Sequence, residues 1–334
     1  MNTEKNHSET PFFDLTPDAV LDAVESLGYG CDGRLLALNS YENRVWQVGL
    51  ENATPVIVKF YRPSRWSDEA IIEEHAFALE LQENELPVIA PTIISGETLH
   101  HCGNQRLTVY PRKGGHAPEF TDIQTLEMLG RLMGRIHAVS STKVFKHRQT
   151  LHPDEWGQAS IDFLTDEEWI PFHLMNAFKS ITKDLMQEIH CIWSQTEDTS
   201  FIRLHGDSHA GNILCRDDDV FFVDLDDCCM GPAIQDLWMW LSGNHTERSH
   251  QMSVLAEAYQ DFFPFNAREI HLIEALRTLR MLQHQAWLAK RWNDPAFQQA
   301  FPWFADDRHW ERVIEQLREQ LDEIHQPALV LEPK

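Results

Sequence analysis

Residues 204–214 read LHGDSHAGNIL, and residues 221–224 read FFVD. Three polar side chains lie here between apolar runs: Asp207, then Asn212 five residues later, then Asp224 twelve residues after that. A carboxylate, an amide and a second carboxylate in this order are what kinases use to orient a hydroxyl and to hold metal ions on ATP. The stretch therefore predicts the catalytic half of a phosphoryl-transfer enzyme, with a nucleotide-handling half upstream.

The three polar residues suit separate demands of that chemistry. Asp207 is the candidate to orient the attacking hydroxyl and accept its proton. Mg²⁺ prefers hard oxygen ligands, so Asn212 and Asp224 are the candidate metal ligands. Two alternatives stay open from the residues alone. Asp and Asn are common turn residues that cap backbone amides, and His205 with His209 could ligate zinc in a hydrolase.

The composition limits the partners that the chain can have. It has 334 residues, enough for one large domain or two lobes, and a formal net charge of −24. Such a charge repels nucleic acid and anionic lipid, so neither is an expected partner. No stretch approaches eighteen uncharged apolar residues, so no membrane span is expected. Six cysteines without a C-x-x-C pair predict reduced thiols in a cytoplasmic protein.

The first third of the chain reads as a small strand-rich lobe. Residues 1–10 are expected to form a loose tail, and a helix is expected to begin at Thr16-Pro17-Asp18. Alternating apolar residues then predict strands, with a hairpin turn at 51–54 and a helix capped by Ser67. A last strand stops at Pro111, which is followed by Gly114-Gly115. This break predicts a nucleotide-binding lobe over 1–111 and a second lobe over 112–334.

The second lobe reads as mainly helical, with the catalytic loop at 204–227. Apolar residues at helical spacing predict helices over 122–137, 175–193, 250–263, 267–292 and 307–325. The predicted fold class is therefore α+β: a two-lobed, protein-kinase-like fold with a small β-rich N-terminal lobe and a larger helical C-terminal lobe.

Lys59 lies inside an apolar strand, between Val58 and Phe60. Such a lysine is either an edge residue that extends its charge to water or a buried cation with a partner. Glu73 and Glu74 on the following predicted helix offer that partner, and the spacing favours Glu74. A strand lysine paired with a helix glutamate, in contact with the α- and β-phosphates of ATP, is the arrangement found in kinases.

Two weaker nucleotide candidates lie in the same lobe. The loop 38–45 occupies the place of a phosphate-covering loop but has no G-x-G-x-x-G sequence. Ser40 and the backbone amides of 41–43 could donate to phosphate there, although such a loop is also an ordinary turn. Val109 and Pro111 would belong to the connector between the lobes, where main-chain groups meet adenine.

The motif H-G-D-x-H-x-G-N at residues 205–212, followed by Val223-Asp224, resembles that of aminoglycoside phosphotransferases, choline kinases and related kinase-like enzymes. Further stretches resemble one bacterial branch of these enzymes, at 40–45, 58–63, 223–227, 231–239 and 294–297. The resemblance covers roughly residues 12–330. It implies a monomeric, cytoplasmic, ATP-dependent serine/threonine protein kinase that acts in a stress response. It also implies a proton acceptor at Asp207, Mg²⁺ at Asn212 and Asp224, and an ATP contact at Ser40.

Two departures from ordinary protein kinases bear on regulation. Gly206 stands where those enzymes usually have an arginine that anchors a phosphorylated loop. Leu225-Asp226 follows Asp224 in place of Phe-Gly, so a phenylalanine switch is not available in the same form. Both departures predict a site that is assembled without activating phosphorylation.

Two other functions remain open. A small-molecule kinase would share the mechanism, with an amino-alcohol such as choline, a sugar or an aminoglycoside as acceptor. The negative charge of the chain could attract a cationic acceptor. A non-catalytic scaffold would bind nucleotide without transferring phosphate.

Overall fold

The computed structural model describes residues 11–196, 199–217 and 219–332, so the predicted tail over 1–10 lies outside the described residues. The strands are β1 (Cys31–Ala37), β2 (Arg44–Leu50), β3 (Ala53–Phe60), β4 (His100–Cys102), β5 (Gln105–Pro111), β6 (Ile202–Leu204), β7 (Ile213–Arg216), β8 (Asp219–Phe222) and β9 (Cys229–Gly231). The α-helices are α1 (Pro17–Ser26), α2 (Asp68–Glu83), α3 (Ile123–Ser140), α4 (Ala159–Asp166), α5 (Met175–Ser194), α6 (His245–Gln260), α7 (Ile273–Lys290), α8 (Pro295–Ala300) and α9 (Asp307–Ile324).

The chain forms two compact units. The first contains the residues up to Ala117 together with Lys146–Arg148 and Gly211–Asp226. The second contains Pro118–Phe145, Gln149–Ala210 and the residues from Asp227 onward. The first unit thus holds the strand-rich part of the sequence and the β7–β8 hairpin, and the second holds most of the helices.

In the first unit an antiparallel sheet has the strand order β1-β2-β3-β5-β4. Helix α1 begins as predicted: the Thr16 hydroxyl accepts the N–H of Ala19 at 3.2 Å, and Pro17 is the first helical residue. The apolar residues of α1 pack against the sheet and form one core with it. Among the residues of this core, Val20, Val24, Val58 and Phe60 are each 0% exposed. The alternation along β3 sends Lys59 to the opposite face from Val58 and Phe60.

Helix α2 carries the polar partners of that opposite face. It begins after Ser67, whose hydroxyl accepts the N–H of Ala70, as predicted. Glu74 and His75 are on its buried side. His75 is fixed by the Tyr61 hydroxyl at 2.7 Å and by the Thr98 hydroxyl at 2.8 Å. The first unit therefore presents a buried polar layer beside Lys59.

In the second unit, α3 packs closely on α6 because α3 has glycines at the contact. A Cβ on Gly134 would lie 2.6 Å from the carbonyl oxygen of Tyr259, and one on Gly130 would lie 3.0 Å from that of Leu255. The close approach lets the Tyr259 hydroxyl reach Nδ1 of His137 at 2.7 Å. Helix packing thus fixes the orientation of a buried histidine.

The long helices of the second unit lie where the periodicity predicts them, with shifted starts for α6 and α7. Helix α6 begins at His245 rather than near 250, because Asn244 and Glu247 form a capping box. Residues 267–272 form a 3₁₀ turn before α7. Helices α4 and α8 were not predicted; at eight and six residues they carry too little periodicity to be recognised. None of the described helices combines the length and the apolar composition that a membrane span requires.

Candidate active site

The β7–β8 hairpin of the first unit places Asn212 and Asp224 at its open end. Ile213 pairs with Phe222, and the N–H of Val223 donates to the carbonyl of Asn212 at 3.0 Å. The two candidate metal ligands therefore flank paired strands, although they are twelve residues apart in sequence. An amide oxygen and a carboxylate at such a position are a donor set that suits Mg²⁺.

Asp224 has an unusual backbone and a strong side-chain partner. Its φ is +60°, in the left-handed region that Asp adopts more readily than most residues. Its carboxylate Oδ1 accepts from Nζ of Lys59 at 2.8 Å, and its side chain is 49% exposed. One end of the ion pair is thus buried at Lys59, and the other is open to solvent.

Lys59 is the centre of a buried charge cluster. Besides Asp224, its Nζ lies 3.1 Å from Asp226 and 3.6 Å from Glu74. Burial alone would lower the pKa of Lys59, but the three carboxylates hold that pKa well above its ordinary value. The predicted pair of Lys59 and Glu74 is therefore present, and Lys59 is charged.

Asp226 was not predicted as a site residue. Its side chain, 4% exposed, also pairs with Arg65, and the Arg148 guanidinium donates to its main-chain carbonyl. Burial would raise the pKa of Asp226, but Arg65, Lys59 and Arg148 together lower it. The only sequence signal was a second acid two residues after Asp224. Nothing in the sequence linked it to Arg148, which contacts it across 78 positions.

Helix α2 uses its two adjacent glutamates differently. Glu74 pairs with Lys59 and, at 3.5 Å, with Arg148, and burial raises the pKa of Glu74 to about 7 despite these cations. Glu73 instead accepts the backbone N–H groups of residues 146–148 at 2.7, 2.8 and 3.0 Å. Glu74 is thus the helix carboxylate that approaches Lys59, and Glu73 holds the segment that delivers Arg148.

The residues of the two weaker nucleotide candidates already have hydrogen-bond or strand-pairing partners within the first unit. The Ser40 hydroxyl donates to the carbonyl of Asn43 at 3.2 Å, which makes the 38–45 loop a closed turn. Val109 lies inside β5 and not in a connector: it pairs with Val58, and its carbonyl accepts the N–H of Thr92 at 2.7 Å. The carbonyl of Val109 is therefore already occupied by Thr92, a residue outside the strands. Pro111 ends β5 and is exposed.

In the second unit, Asp207 follows β6 and pairs with an arginine that the sequence did not indicate. Nη1 of Arg280, on α7, lies 2.5 Å from Oδ1 of Asp207, and Nε2 of His209 lies 3.5 Å from Oδ2. Burial would raise the pKa of Asp207, but Arg280 and His209 lower it. Asp207 is therefore held as a carboxylate. No sequence signal could have joined residues 73 positions apart.

The backbone around Asp207 is held by Asp236, which is 0% exposed. Its carboxylate accepts the N–H of His205 at 2.7 Å and that of Gly206 at 2.8 Å, and it lies 3.2 Å from Nε2 of His137. The sequence contained a signal for this role, because a carboxylate beside the apolar run 237–241 must find partners when buried.

Gly206 is required by the same arrangement. Its φ is +84°, and a Cβ there would overlap the carbonyl oxygen of Asp227. An arginine at this position, as in ordinary protein kinases, would therefore not fit without moving the backbone.

Glu269 supports the turn that carries Asp236 and provides a test by pH. It accepts the N–H of Ile234 at 2.9 Å, and burial raises the pKa of Glu269 to about 7. This pKa lies above the pKa of a glutamate in the unfolded chain. The contribution of Glu269 to stability is therefore complete only at low pH, and it is lost as the pH rises through 7. Glu269→Gln keeps an acceptor and cannot ionise, so we expect it to raise the free energy of unfolding at pH 8 by about 2 kcal/mol.

Urea unfolding at pH 4.5 and pH 8 measures this effect, and the difference between variant and wild type is expected to shrink at the lower pH. Glu315→Gln, on the exposed side of α9, is the control and should show no comparable gain. A Glu269→Gln protein that is no more stable than wild type at pH 8 would contradict the burial argument.

For the alternative of a transition-metal site, the candidate ligands Asp207 and His209 lie near each other, 3.5 Å apart. In the described part of the chain, no three His, Cys, Asp or Glu side chains converge as a metal-ligand group.

Comparison with known proteins places the chain among phosphotransferases. Residues 34–273 match the phosphotransferase enzyme family. Stress response kinase A of Escherichia coli K12 is 42% identical over 328 residues, which are 98% of this chain and 99% of that protein. The serine/threonine protein kinase RdoA of Salmonella typhimurium is 40% identical over the same shares of both chains.

Among solved structures, amicoumacin kinase hAmiN, in complex with AMP-PNP, Ca²⁺ and Ami, has a TM-score of 0.72 and 18% identity, and the match covers 94% of this chain and 95% of that one. At this identity the likeness shows the fold. The predicted fold class, α+β with a strand-rich N-terminal lobe and a helical C-terminal lobe of kinase-like type, is confirmed.

Proposed function

The chain belongs to the phosphotransferase enzyme family and is a kinase-like phosphotransferase, and we propose that it transfers phosphate from ATP to serine and threonine hydroxyls of proteins in a bacterial stress response. The position of Lys59 carries the phosphoryl-transfer part of the proposal: its Nζ lies 2.8 Å from Asp224 and 3.6 Å from Glu74. The protein acceptor is proposed from the similarity to the serine/threonine protein kinase RdoA. A strand lysine held by a helix glutamate beside a metal-binding aspartate is the kinase arrangement for the phosphates of ATP.

The nucleotide is assigned to the first unit. Lys59 contacts the α- and β-phosphates, the Ser40 turn covers them, and the carbonyl of Pro111, an exposed residue at the end of β5, accepts from adenine. In this proposal residues 1–111 form the nucleotide-binding lobe, and residues 112–334 supply the catalytic loop and the acceptor cleft.

Mg²⁺ is the proposed cofactor, because Asn212 and Asp224 offer hard oxygen donors at the open end of one hairpin. When bound there, Mg²⁺ neutralises charge on the phosphates. Asp226 and Glu74 keep Lys59 charged, and Lys59 in turn adds a fixed positive charge beside Asp224.

Asp207 is the proposed proton acceptor. Its carboxylate orients the acceptor hydroxyl toward the γ-phosphoryl group of ATP and takes the hydroxyl proton. The acceptor oxygen then bonds to the γ-phosphorus as the bond to the bridging oxygen breaks and ADP leaves. The Asp236 contacts to the backbone of His205 and Gly206 fix its position before substrate arrives, which is the positioning that this chemistry requires.

The acceptor is tested by transfer of labelled phosphate from ATP to two panels, one of generic proteins and one of small alcohols that includes choline, amino-alcohols and aminoglycosides. We expect labelled serine and threonine in the protein panel, and loss of transfer when EDTA removes the metal. Transfer to the small alcohols alone would make the protein a small-molecule kinase. Binding of ATP with no transfer to either panel would make it a scaffold.

A further inference from the structure

Helix α7 presents a row of cationic and aromatic side chains, one of which contacts Asp207. Arg277, Arg280, His284 and Trp287 follow one another at intervals of three, four and three residues, so they share one face of the helix. Arg277 lies over the ring of Trp238, and His284 stacks on Trp287 with ring centroids 5.6 Å apart. We call these four residues the α7 ridge.

Arg280 is the member of the ridge that touches the proposed proton acceptor. One of its nitrogens pairs with Asp207, while its side chain remains 36% exposed. A guanidinium has five N–H donors in a planar fork, so it can hold Asp207 and still present donors to a second anion. The pair therefore leaves part of the Arg280 guanidinium exposed directly beside the carboxylate that receives the hydroxyl.

The next residue on the ridge adds no positive charge. Burial and the charge of Arg280 both lower the pKa of His284, so its imidazole is neutral at physiological pH. The ridge thus presents one fixed cation next to Asp207 and then a neutral, flat aromatic pair. The net charge of −24 means that the overall field of the chain does not attract an anionic acceptor. Preference for an anionic acceptor must therefore come from a local cation such as Arg280.

We propose that Arg280 determines the charge of the acceptor: the enzyme prefers hydroxyls that carry a negative group beside them, and it rejects those that carry an ammonium group. A carboxylate on the acceptor gains charge-assisted hydrogen bonds from the free donors of Arg280. An ammonium group in the same place meets a like charge. This inference rests on the proposed function, and for a protein acceptor it means serine or threonine flanked by acidic residues.

The test uses three serine peptides that differ only in the residues flanking the serine, which are Glu, Gln or Lys. We expect wild type to favour the Glu peptide over the Gln peptide about tenfold in kcat/KM, and the Lys peptide to be the poorest. Arg280→Gln should bring the three within about threefold, and Arg280→Glu should favour the Lys peptide. Arg280→Lys should keep the order with a smaller ratio, because it retains the charge and loses the fork.

Arg277→Gln is the matched control. Arg277 is 30% exposed on the same ridge and pairs with Glu274, so its loss should leave the peptide order unchanged. Because the readout is a ratio between peptides, a general loss of activity or stability in a variant does not mimic the effect. Equal rates on the three peptides in wild type, or an unchanged order in Arg280→Gln, would overturn the inference.

Three small alcohols separate this inference from the identity of the acceptor: glycerate, glycerol and choline are anionic, neutral and cationic. If no peptide is phosphorylated but glycerate is preferred in an Arg280-dependent way, the protein-kinase proposal fails and the inference on charge stands. If choline is the preferred small acceptor, the inference fails whatever the peptides show.

Discussion

Replacement of Asp207 by asparagine is expected to lower kcat for phosphoryl transfer at least about a hundredfold. An amide occupies the same space but cannot accept the hydroxyl proton, and it no longer balances the charge of Arg280, whose Nη1 lies 2.5 Å from the carboxylate. The Asp236 contacts are to the backbone of His205 and Gly206 and remain in the variant. The loss should therefore appear in kcat, whereas the affinity for ATP stays close to that of wild type.

Labelled-ATP transfer under single-turnover conditions measures the step directly, and calorimetric titration with ATP measures binding. Asp217→Asn is the control, since its side chain is 92% exposed and its replacement should leave kcat unchanged. A rate for Asp207→Asn within a few fold of wild type would remove the proton-acceptor assignment. It would leave the assignments of Lys59, Asn212 and Asp224 untouched.

Replacement of Lys59 by methionine is expected to cost stability as well as activity. In the described residues, Lys59, Arg65 and Arg148 balance Glu74, Asp224 and Asp226. Loss of one cation leaves buried carboxylates uncompensated, which typically costs about 3–5 kcal/mol. We expect the free energy of unfolding at pH 8 to fall by about this amount, and phosphoryl transfer to fall about a hundredfold or more.

The pH dependence identifies the cause. The pKa of Glu74 is already raised to about 7, and loss of Lys59 should raise it further. Protonation of Glu74 then removes one of the unbalanced charges, so the deficit in stability should shrink as the pH is lowered from 8 to 6. Urea unfolding at both pH values measures the deficit.

Two further variants complete this test. Lys59→Met combined with Glu74→Gln should recover part of the lost stability without recovering activity. Lys113→Met, an exposed lysine over the ring of Phe221 in the same unit, should cost less than about 1 kcal/mol. If the Lys59 and Lys113 variants lost equal stability, the charge-cluster account would be wrong.

Local patterns in the sequence predicted most of the long helices and the candidate chemistry. Periodicity and caps located α1, α2 and the long helices, since Thr16, Ser67 and Asp122 each accept a backbone N–H just inside their helices. These signals are local, so a linear reading can find them. The spacing of Asp207, Asn212 and Asp224 and the strand position of Lys59 are local in the same sense, and they were sufficient to predict a kinase.

The pairing of the charged residues depends on the folded structure. Arg148 reaches Glu74 and Asp226, Arg280 reaches Asp207, and Asp236 holds the backbone of His205 and Gly206. The two members of each contact are at least 30 residues apart in sequence. Composition alone does not show which of the 28 basic residues pairs with a given carboxylate. The physical reason is that a buried charge must be compensated by whatever group the packing brings to it, and packing is a property of the folded chain.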